Sequence, residues 1–490
     1  MLSNKNQLIG LVVILFLTSA PVQARDHAWI VGGGYDLGSS QAQIEKNVLW
    51  ASSVIKEASH NKDDRDLSVF FTDGDEQEVK DVKSWQPIDA EGTSLQPLSM
   101  IYNAAYDNGL SYRNHRIDNV RGPTRRTELE QQLRQDFKAL SAGDRGLFIF
   151  NGHGGHDKSD TANNKMWLWD DSSFSVREFY KLLEHVDKKV PMRFVFTQCY
   201  SGGFERLVHP QAADTLELVD AKRCGFFSES AHRQAEGCSS GINTDDYRDY
   251  STYFFAALKG KTRQGGALPF DPDRNNNGEV SLYEAHLYTL SEGHSADLPR
   301  TTSEMYLERW QPWYLRWFAA GKGKGNVYAE LAATLGQSLR VPPDTTAQRS
   351  ILFKQRRRLL RQDKKLKKER KQLLKIMQTA RFSIRYELEQ RWPEAAESRT
   401  AKYQAFLKND LVAAEKFITS HEKWQGLLKM YKRYQDIAIE RLEIERDITQ
   451  FDKLKRLNKL ARLRSQFERH ASAQQKADYQ QLLGCEKLPL

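Results

Sequence analysis

Five short apolar runs, each ending in small or polar residues, most constrain the fold of this chain. The runs are separated by segments with helical periodicity, such as 126–140 and 176–186. Continuous apolar runs between helices are typical of a buried parallel sheet with helices on both faces. The sequence therefore predicts an α/β fold of the doubly wound type with a mostly parallel sheet. The five runs are 28–31, 67–71, 147–150, 194–196 and 225–227.

Charge divides the 490 residues into two regions of opposite sign. Residues 345–490 contain 35 Lys and Arg against 18 Asp and Glu, a net charge of +17, whereas the rest of the chain carries −8 and the whole chain +9. The basic region has few glycines and is rich in Lys, Arg, Leu, Gln and Glu, which favours helices. We therefore predict an α/β domain over 25–340 and a basic, mainly helical region over 345–485.

The helical region shows only part of a coiled-coil pattern. Leu352, Leu359, Leu366 and Leu373 recur every seven residues, but the positions four residues further on are mostly charged. A self-sufficient coiled coil is therefore not indicated. Pro393 interrupts the first helix, and apolar residues from Trp424 to Phe451 form a stripe that can pack on it. The sequence predicts an antiparallel helical pair, with a break into three helices as the alternative.

The N-terminus has a basic residue, Lys5, followed by an apolar stretch at 8–17. Small residues, Val22 and Ala24, lie at the −3 and −1 positions of a cut after Ala24. This pattern is typical of a secretory signal peptide over 1–24, cleaved near Ala24. We expect a secreted or periplasmic protein, with an uncleaved membrane anchor as the alternative. Export would also permit a disulfide, for which Cys224 and Cys238 are the expected pair.

Two of the apolar runs are followed by residues that can carry out nucleophilic catalysis. His153 follows the run 147–150, and Cys199 follows the run 194–196. Because ligand sites in open α/β sheets lie outside the carboxyl ends of the strands, we expect both side chains to face one crevice. An imidazole can activate a thiol and protonate the leaving group, so the pair is equipped for acyl transfer. The backbone N–H groups of Gly154 and Cys199 are the candidate oxyanion hole.

A metal site is an alternative explanation for this histidine. His153, His156 and Asp157 are close in sequence, and His-x-x-His pairs occur in some metal sites. The sequence indicates no further ligands, which favours the nucleophilic pair over a metal. A purely structural role for His153 and Cys199 is the third alternative.

The two strand ends resemble the caspase/legumain clan of cysteine peptidases. The matching blocks are HGG at 153–155 and CYSG at 199–202, each after an apolar run, with 46 residues from the histidine to the cysteine. The legumain branch is the more similar, and the resemblance extends over about residues 29–253. It implies a caspase–haemoglobinase-like fold, with Cys199 as the nucleophile and His153 as the proton carrier.

The resemblance leaves the specificity of cleavage open. The turn at 34–39 lacks the Asn-Gly element and the nearby arginine of the legumain pocket. Members of the clan that cleave after Arg or Lys have a carboxylate in the pocket. Glu229, Asp245 and Asp246 follow the last apolar run and are the candidates for that role.

Residues 273–284 match the twelve-position loop of an EF-hand calcium site. Oxygen-bearing residues occupy the six ligand positions, and Gly278 occupies the position of the sharp turn. The preceding segment 264–270 contains two glycines and a proline and cannot form an entering helix, so we expect a structural Ca²⁺ that fixes only the following helix. A surface turn that binds no metal is the alternative. The expected ligands are Asp273, Asn275, Asn277, Glu279, Ser281 and Glu284.

Together these features predict an exported cysteine endopeptidase that acts on protein or peptide substrates. The alternative is a non-catalytic, calcium-stabilised module that binds a partner through its basic helical region. Residues 345–485 are expected to contact an anionic surface, to self-associate or to fold over the acidic domain as a lid. Export argues against nucleic acid as the partner.

Overall fold

The protein is described by a computed structural model, which carries a seven-stranded central sheet and two smaller sheets. The expected signal peptide, together with Cys238, Asp245 and Asp246, lies outside the described residues. The described residues are 25–58, 65–75, 80–85, 97–102, 110–160, 163–236, 248–317, 325–343, 346–397 and 400–490.

The strands are β1 (Asp26–Gly33), β2 (Arg65–Phe71), β3 (Val82–Trp85), β4 (Leu110–Arg113), β5 (Val120–Gly122), β6 (Arg145–Gly152), β7 (Gly154–Gly155), β8 (Lys165–Leu168), β9 (Ser172–Ser175), β10 (Met192–Phe196), β11 (Arg223–Phe227) and β12 (Arg300–Thr301). The central sheet runs in the order β12-β11-β10-β6-β1-β2-β5, and every neighbouring pair is parallel except β11 with β12. The apolar runs of the sequence form β1, β2, β6, β10 and β11, so the expected α/β fold with a mostly parallel sheet is confirmed.

The helices fall into those that flank the sheet and those of the C-terminal region. The helices are α1 (Ala42–Glu57), α2 (Pro97–Tyr102), α3 (Arg126–Ala139), α4 (Val176–Leu183), α5 (Tyr250–Lys259), α6 (Leu282–Glu292), α7 (Thr302–Trp310), α8 (Val327–Ser338), α9 (Thr346–Arg391), α10 (Ala401–Asn409), α11 (Leu411–Ser420), α12 (Trp424–His470) and α13 (Ala473–Glu486). The long α9 and α12 contact each other, as an antiparallel helical pair requires. Along the part of the chain described, no helix is long and apolar enough to cross a membrane.

Successive residues of β1 enter two different cores. Ala28 and Ile30 pack with residues of α1, α5 and α6, whereas Trp29 and Val31 pack with residues of α3 and α4. This alternation follows from the two-residue period of a strand whose two faces are both covered. The helices therefore cover both faces of the sheet and leave its carboxyl edge for the loops.

The C-terminal helices share a core with the α/β region. Leu460 and Phe467 of α12 lie in one buried cluster with Leu287 of α6 and Tyr306 of α7. The far ends of α9 and α12 pack in turn against α2, through Met100 among others. The region expected over 345–485 is thus continuous with the α/β core rather than attached to it only through the connecting chain.

A disulfide joins the last helix to the central sheet. Cys224 of β11 is bonded to Cys485 of α13, 261 residues away in sequence. The pairing of Cys224 with Cys238 that the sequence led us to expect is therefore wrong. Sequence proximity favoured the shorter loop, whereas the packing of α13 against β11 brings the distant cysteine to the sheet.

Glu486, next to this disulfide, is a fully buried carboxyl group in the junction of α13 with α7. Its Oε1 accepts hydrogen bonds from Thr302 Oγ1 and from Ser303 N, both at 2.7 Å. Burial raises the pKa of Glu486 to about 7, against the opposing effect of these hydrogen bonds. In the folded protein this group therefore keeps its proton to a higher pH than it does in the unfolded chain.

We expect Glu486→Gln to remove a pH dependence of stability. Because the folded pKa is raised, the stabilisation is complete below pH 4.5 and is lost as the pH rises through about 7. The glutamine cannot ionise and keeps an oxygen for Thr302 and Ser303. The free energy of unfolding of the variant, minus that of the wild type, should increase by about 2 kcal/mol from pH 5 to pH 8. Urea unfolding of both proteins at the two pH values measures this change. A difference between the two proteins that stays the same at both pH values would contradict the assignment.

Candidate active site at the carboxyl edge of the sheet

The ends of β6 and β10 bring His153 and Cys199 to the same place. The register pairs Phe150 with Phe196, an offset of 46 residues, and the same offset relates His153 to Cys199. The chains remain in contact beyond the ladder, because a Cβ atom built on Gly154 would lie 1.9 Å from the carbonyl oxygen of Cys199. Only glycine fits at position 154, and its absent side chain lets the two strand ends touch.

The imidazole of His153 is held in one tautomer. Its Nε2 lies 2.8 Å from the carbonyl oxygen of Ser39, which can only accept a hydrogen bond, so Nε2 carries the hydrogen. The lone pair is therefore on Nδ1. The ring packs edge-on against Tyr35 at 5.6 Å. Burial lowers the pKa of His153 below its usual value, against the hydrogen bond to Ser39, which favours a neutral ring ready to accept a proton.

Cys199 is buried and oxidised. Its side chain is 4% exposed, and its sulfur is in a disulfide. Ala235 N donates a hydrogen bond to Cys199 Sγ at 3.3 Å. A sulfur in a disulfide cannot act as the thiolate nucleophile, so the proposed chemistry requires prior reduction.

Residues 229–236, which we call the cover segment, lie over Cys199. Tyr200 N donates to the carbonyl oxygen of Arg233 at 2.8 Å, and Ala235 N reaches the cysteine sulfur. Asn164 Nδ2 bridges the two chains, because it donates to the carbonyl oxygens of both Tyr200 and Ala231 at 3.0 Å. These backbone contacts account for the low exposure of Cys199.

The cover segment ends at a buried ion pair with α12. Arg446 is 1% exposed and donates from both Nε and Nη2 to Oε1 of Glu236. The other carboxylate oxygen accepts from Ala296 N at 2.6 Å. Glu236 N donates to Asp297, whose pKa is raised well above its usual value by burial. A helix of the C-terminal region therefore fixes the segment that lies over the candidate nucleophile.

The N–H group of Gly154 is directed away from β8. Trp167 N donates to the carbonyl oxygen of His153 at 2.9 Å, and Gly154 is aligned with Met166 in the antiparallel ladder. Hydrogen-bonded and non-bonded pairs alternate in such a ladder, so the Gly154 pair is a non-bonded one. This orientation is compatible with the oxyanion role expected for Gly154.

Glu229 lies at the end of β11 but does not face an open pocket. It is 0% exposed and accepts hydrogen bonds from Leu298 N at 2.9 Å and from Ser230 N at 3.1 Å. Burial raises its pKa to about 7, although Arg233 acts in the opposite direction at 3.5 Å. A basic substrate side chain could not reach this carboxyl group in the described conformation. The other two predicted pocket residues, Asp245 and Asp246, lie outside the described residues.

Several buried polar side chains near this edge have no hydrogen-bond partner among the residues described. They include both amide atoms of Gln198, Nδ2 of Asn151 and Oγ of Ser40. Leaving buried polar atoms unpaired costs about 1 to 3 kcal/mol each, so such a cluster is typical of a site that meets a ligand. The sequence shows Gln198 directly before the cysteine, but its burial and its unpaired amide depend on the tertiary packing.

The predicted calcium loop is folded as a compact turn. Asp273 accepts hydrogen bonds from Asn277 N at 3.2 Å and from Gly278 N at 2.8 Å, and Gly278 has φ = +87°. Asn277 Oδ1 accepts from Glu279 N at 3.0 Å. The oxygens of positions 1 and 5 therefore face the interior of the loop, as a cation site requires.

Glu284 closes the other end of the loop. Its Oε1 accepts from Arg274 N at 3.0 Å and from Asn275 N at 3.2 Å, and its Oε2 accepts from Ser281 N at 3.0 Å. Ser281 is the N-cap of α6, so two expected ligands also start this helix. The helix after the loop begins at Leu282, and the segment before the loop is not helical, as expected.

His, Cys, Asp and Glu side chains do not form a group of three or more that could hold a metal in the described part of the chain. The calcium loop differs from such groups because Asn275, Asn277, Ser281 and the carbonyl of Glu279 are among its expected donors. His156, which belongs to the alternative metal site considered above, stacks on Tyr200 with the two ring centroids 5.0 Å apart.

No family model and no curated protein matches the chain. Among solved structures, protein GSU0716 from Geobacter sulfurreducens is similar with a TM-score of 0.31 and 12% sequence identity. The match covers 56% of this chain and 92% of that one.

Proposed function

We propose that this chain is a cysteine endopeptidase of the caspase/legumain type that cleaves peptide bonds through an acyl-enzyme on Cys199. The observation that carries the proposal is the contact of Gly154 with the carbonyl of Cys199 at the carboxyl edge of the sheet. The Nδ1 lone pair of His153 and the unpaired polar atoms around it support the same function. Sites of this kind lie where neighbouring strands of an α/β sheet end.

The reaction first requires reduction of the disulfide at Cys199. An external dithiol supplies two electrons and two protons, so both protein sulfurs become thiols and the reductant becomes a disulfide. Nδ1 of His153 then accepts the thiol proton, and the thiolate attacks the carbonyl carbon of the substrate. The N–H groups of Gly154 and Cys199 would stabilise the oxyanion.

The second half of the reaction returns the proton. The imidazolium of His153 protonates the amine as the C–N bond breaks, which leaves a thioester on Cys199. Water then attacks the thioester, the acid product leaves, and the thiol is restored. Ser39 acts as a positioning residue, because its carbonyl fixes the tautomer that leaves Nδ1 available.

Hydrolysis of a fluorogenic peptide library tests this function. The reduced wild type should cleave a subset of the library, whereas Cys199→Ala and His153→Ala should lose at least about a hundredfold in kcat/KM. His156→Ala is the matched control, because this exposed ring lies near the site without a proposed role in it. Cleavage that survives both substitutions, or none by the reduced wild type, would refute the proposal. The preferred residues of the library would also define the specificity.

A non-catalytic binding module is the second candidate, and the oxidised, buried state of Cys199 favours it. In that case the disulfide would be structural, and reduction would destabilise the fold without creating activity. The Cys224–Cys485 disulfide is compatible with either candidate. It supports the proposal that the protein is exported, because stable disulfides persist in oxidising compartments.

We further propose that the loop at 273–284 binds a structural Ca²⁺. Asp273 and Glu284 supply the carboxylates, and Asn275, Asn277 and Ser281 supply neutral oxygens. The side chains of Asp273, Asn277, Ser281 and Glu284 now accept amide hydrogens from the loop and the start of α6, and a cation would share these oxygens. Bound Ca²⁺ would fix the start of α6, which packs on the central sheet.

We expect Asp273→Asn to abolish stabilisation by Ca²⁺ while leaving the metal-free protein almost unchanged. The amide keeps one oxygen for the turn but removes one of two side-chain carboxylates expected in the site. At a Ca²⁺ concentration about a hundred times Kd, binding should add about 2.7 kcal/mol to the wild type. Thermal melts in Ca²⁺ and in chelator would measure this difference. Equal melting of the wild type in both solutions would show that the loop binds no calcium.

A further inference from the structure

The side of α9 that faces away from α12 carries an exposed, basic and apolar stripe. Its residues follow one another at intervals of three and four, so they lie on one face of the helix. All ten are exposed. The outer stripe of α9 consists of Phe353, Arg357, Leu360, Lys364, Lys368, Lys371, Lys375, Thr379, Phe382 and Tyr386.

The opposite side of α9 packs against other helices of the C-terminal region. Leu366 packs with Ile437 and Ile444 of α12, and Ile384 and Leu388 lie in the cluster at the far end of the helical pair. The outer stripe is therefore not the core-facing side of an amphipathic helix, but a second face with its own composition.

Positive charge on the outer stripe is not balanced by acids of the same segment. Asp363 accepts from Arg441 at 2.7 Å, and Glu369 accepts from Arg433 at 2.7 Å. Both acids of 349–371 are thus engaged by α12, whereas the outer stripe holds five basic residues and no acid. The stripe extends over 34 residues, or about 50 Å of helix.

Large apolar side chains are interspersed with these charges. Phe353 is 65% exposed, Phe382 70% and Tyr386 57%. The aromatic rings therefore flank a basic centre of four lysines. Exposed rings and lysines on one helix are found in helices that lie in a membrane interface, where the rings enter the acyl boundary and the lysines meet anionic headgroups. A second copy of the chain would oppose five cations with five cations, so charge disfavours self-association through this face.

We propose that the outer stripe of α9 docks on an anionic lipid surface. This goes beyond the peptidase function and does not depend on it. The helix would lie along the surface, with its lysines at the headgroups and its aromatic rings below them.

Co-sedimentation of the full chain with lipid vesicles tests this proposal. The protein should bind vesicles of phosphatidylcholine mixed with phosphatidylglycerol and should bind phosphatidylcholine alone at least tenfold more weakly. Each lysine near an anionic surface contributes about fivefold, so Lys364→Gln/Lys368→Gln/Lys371→Gln should weaken binding about a hundredfold.

Two further variants make the test specific. Lys402→Gln/Lys408→Gln/Lys416→Gln removes the same charge from exposed positions of α10 and α11 and should weaken binding by less than about fivefold. Phe353→Ser/Phe382→Ser should weaken vesicle binding at least tenfold but leave binding to heparin unchanged. Unchanged melting temperatures would establish that the variants are folded.

Three outcomes would overturn the proposal. The first is failure of the wild type to bind the mixed vesicles. The second is equal weakening by the two lysine variants. In the third, the phenylalanine variant binds vesicles as tightly as the wild type, which would identify the stripe as a site for a soluble polyanion.

Discussion

Replacement of Cys224 and Cys485 by alanine is expected to lower the free energy of unfolding by about 5 kcal/mol. The disulfide closes a loop with a sequence separation of 261 residues, and the entropy that a crosslink removes from the unfolded chain increases with loop length. Both side chains are buried, with Cys224 0% and Cys485 5% exposed, so alanine adds no steric conflict. Urea unfolding of the oxidised protein measures the loss.

The single variants provide the control for this prediction. Cys224→Ala and Cys485→Ala each break the same bond, so each should lose nearly as much as the double variant. Losses that simply add would mean that the two side chains contribute separately and that the bond itself contributes little. The Glu486→Gln variant, one residue away, keeps the disulfide and tests the packing of α13 independently.

Arg446→Met should destabilise the protein by about 3 to 5 kcal/mol and expose Cys199. The substitution leaves the carboxylate of Glu236 buried without its partner, and an uncompensated buried charge is expensive. The cover segment ends at Glu236, so its hold on the sulfur of Cys199 through Ala235 should weaken. Urea unfolding would measure the stability, and the rate of Cys199 alkylation after mild reduction would measure its exposure.

Two comparisons separate this effect from general disruption of α12. Arg446→Met/Glu236→Gln removes both charges and should recover much of the lost stability. Lys459→Met removes the contact of a solvent-exposed lysine with Glu308 at 3.4 Å, and Glu308 keeps Arg300 and Arg456 as partners, so stability should change by less than about 1 kcal/mol. If Arg446→Met alkylates no faster than the wild type, the contact with α12 does not control access to Cys199.

The sequence predicted the sheet, and it predicted that the strand ends before His153 and Cys199 lie side by side, because both features depend on local patterns. Apolar runs such as 147–150 are long enough to define buried strands, and parallel strands place the residues after them at one edge. The offset of 46 residues between the two strands was already visible as a spacing in the sequence.

The sequence could not predict features that depend on contacts between distant segments. Cys224 pairs with Cys485 because α13 returns to β11, and no local pattern marks that return. Glu229 carries the carboxylate expected of a pocket residue, but it is buried because residues 296–298 pack over it, with Leu298 N donating to its carboxylate. The opposite charges of the two regions were visible, but not the contact of Arg446 with Glu236 that joins them.

Labelling of Cys199 by a peptidyl acyloxymethyl ketone distinguishes a catalytic cysteine–histidine pair from a structural disulfide. The reagent should modify Cys199 only after reduction, as located by peptide mass mapping, and His153→Ala should suppress this modification while His156→Ala should not. Modification of Cys199 that is equally fast in the wild type and in His153→Ala would contradict a catalytic pair and favour the binding module.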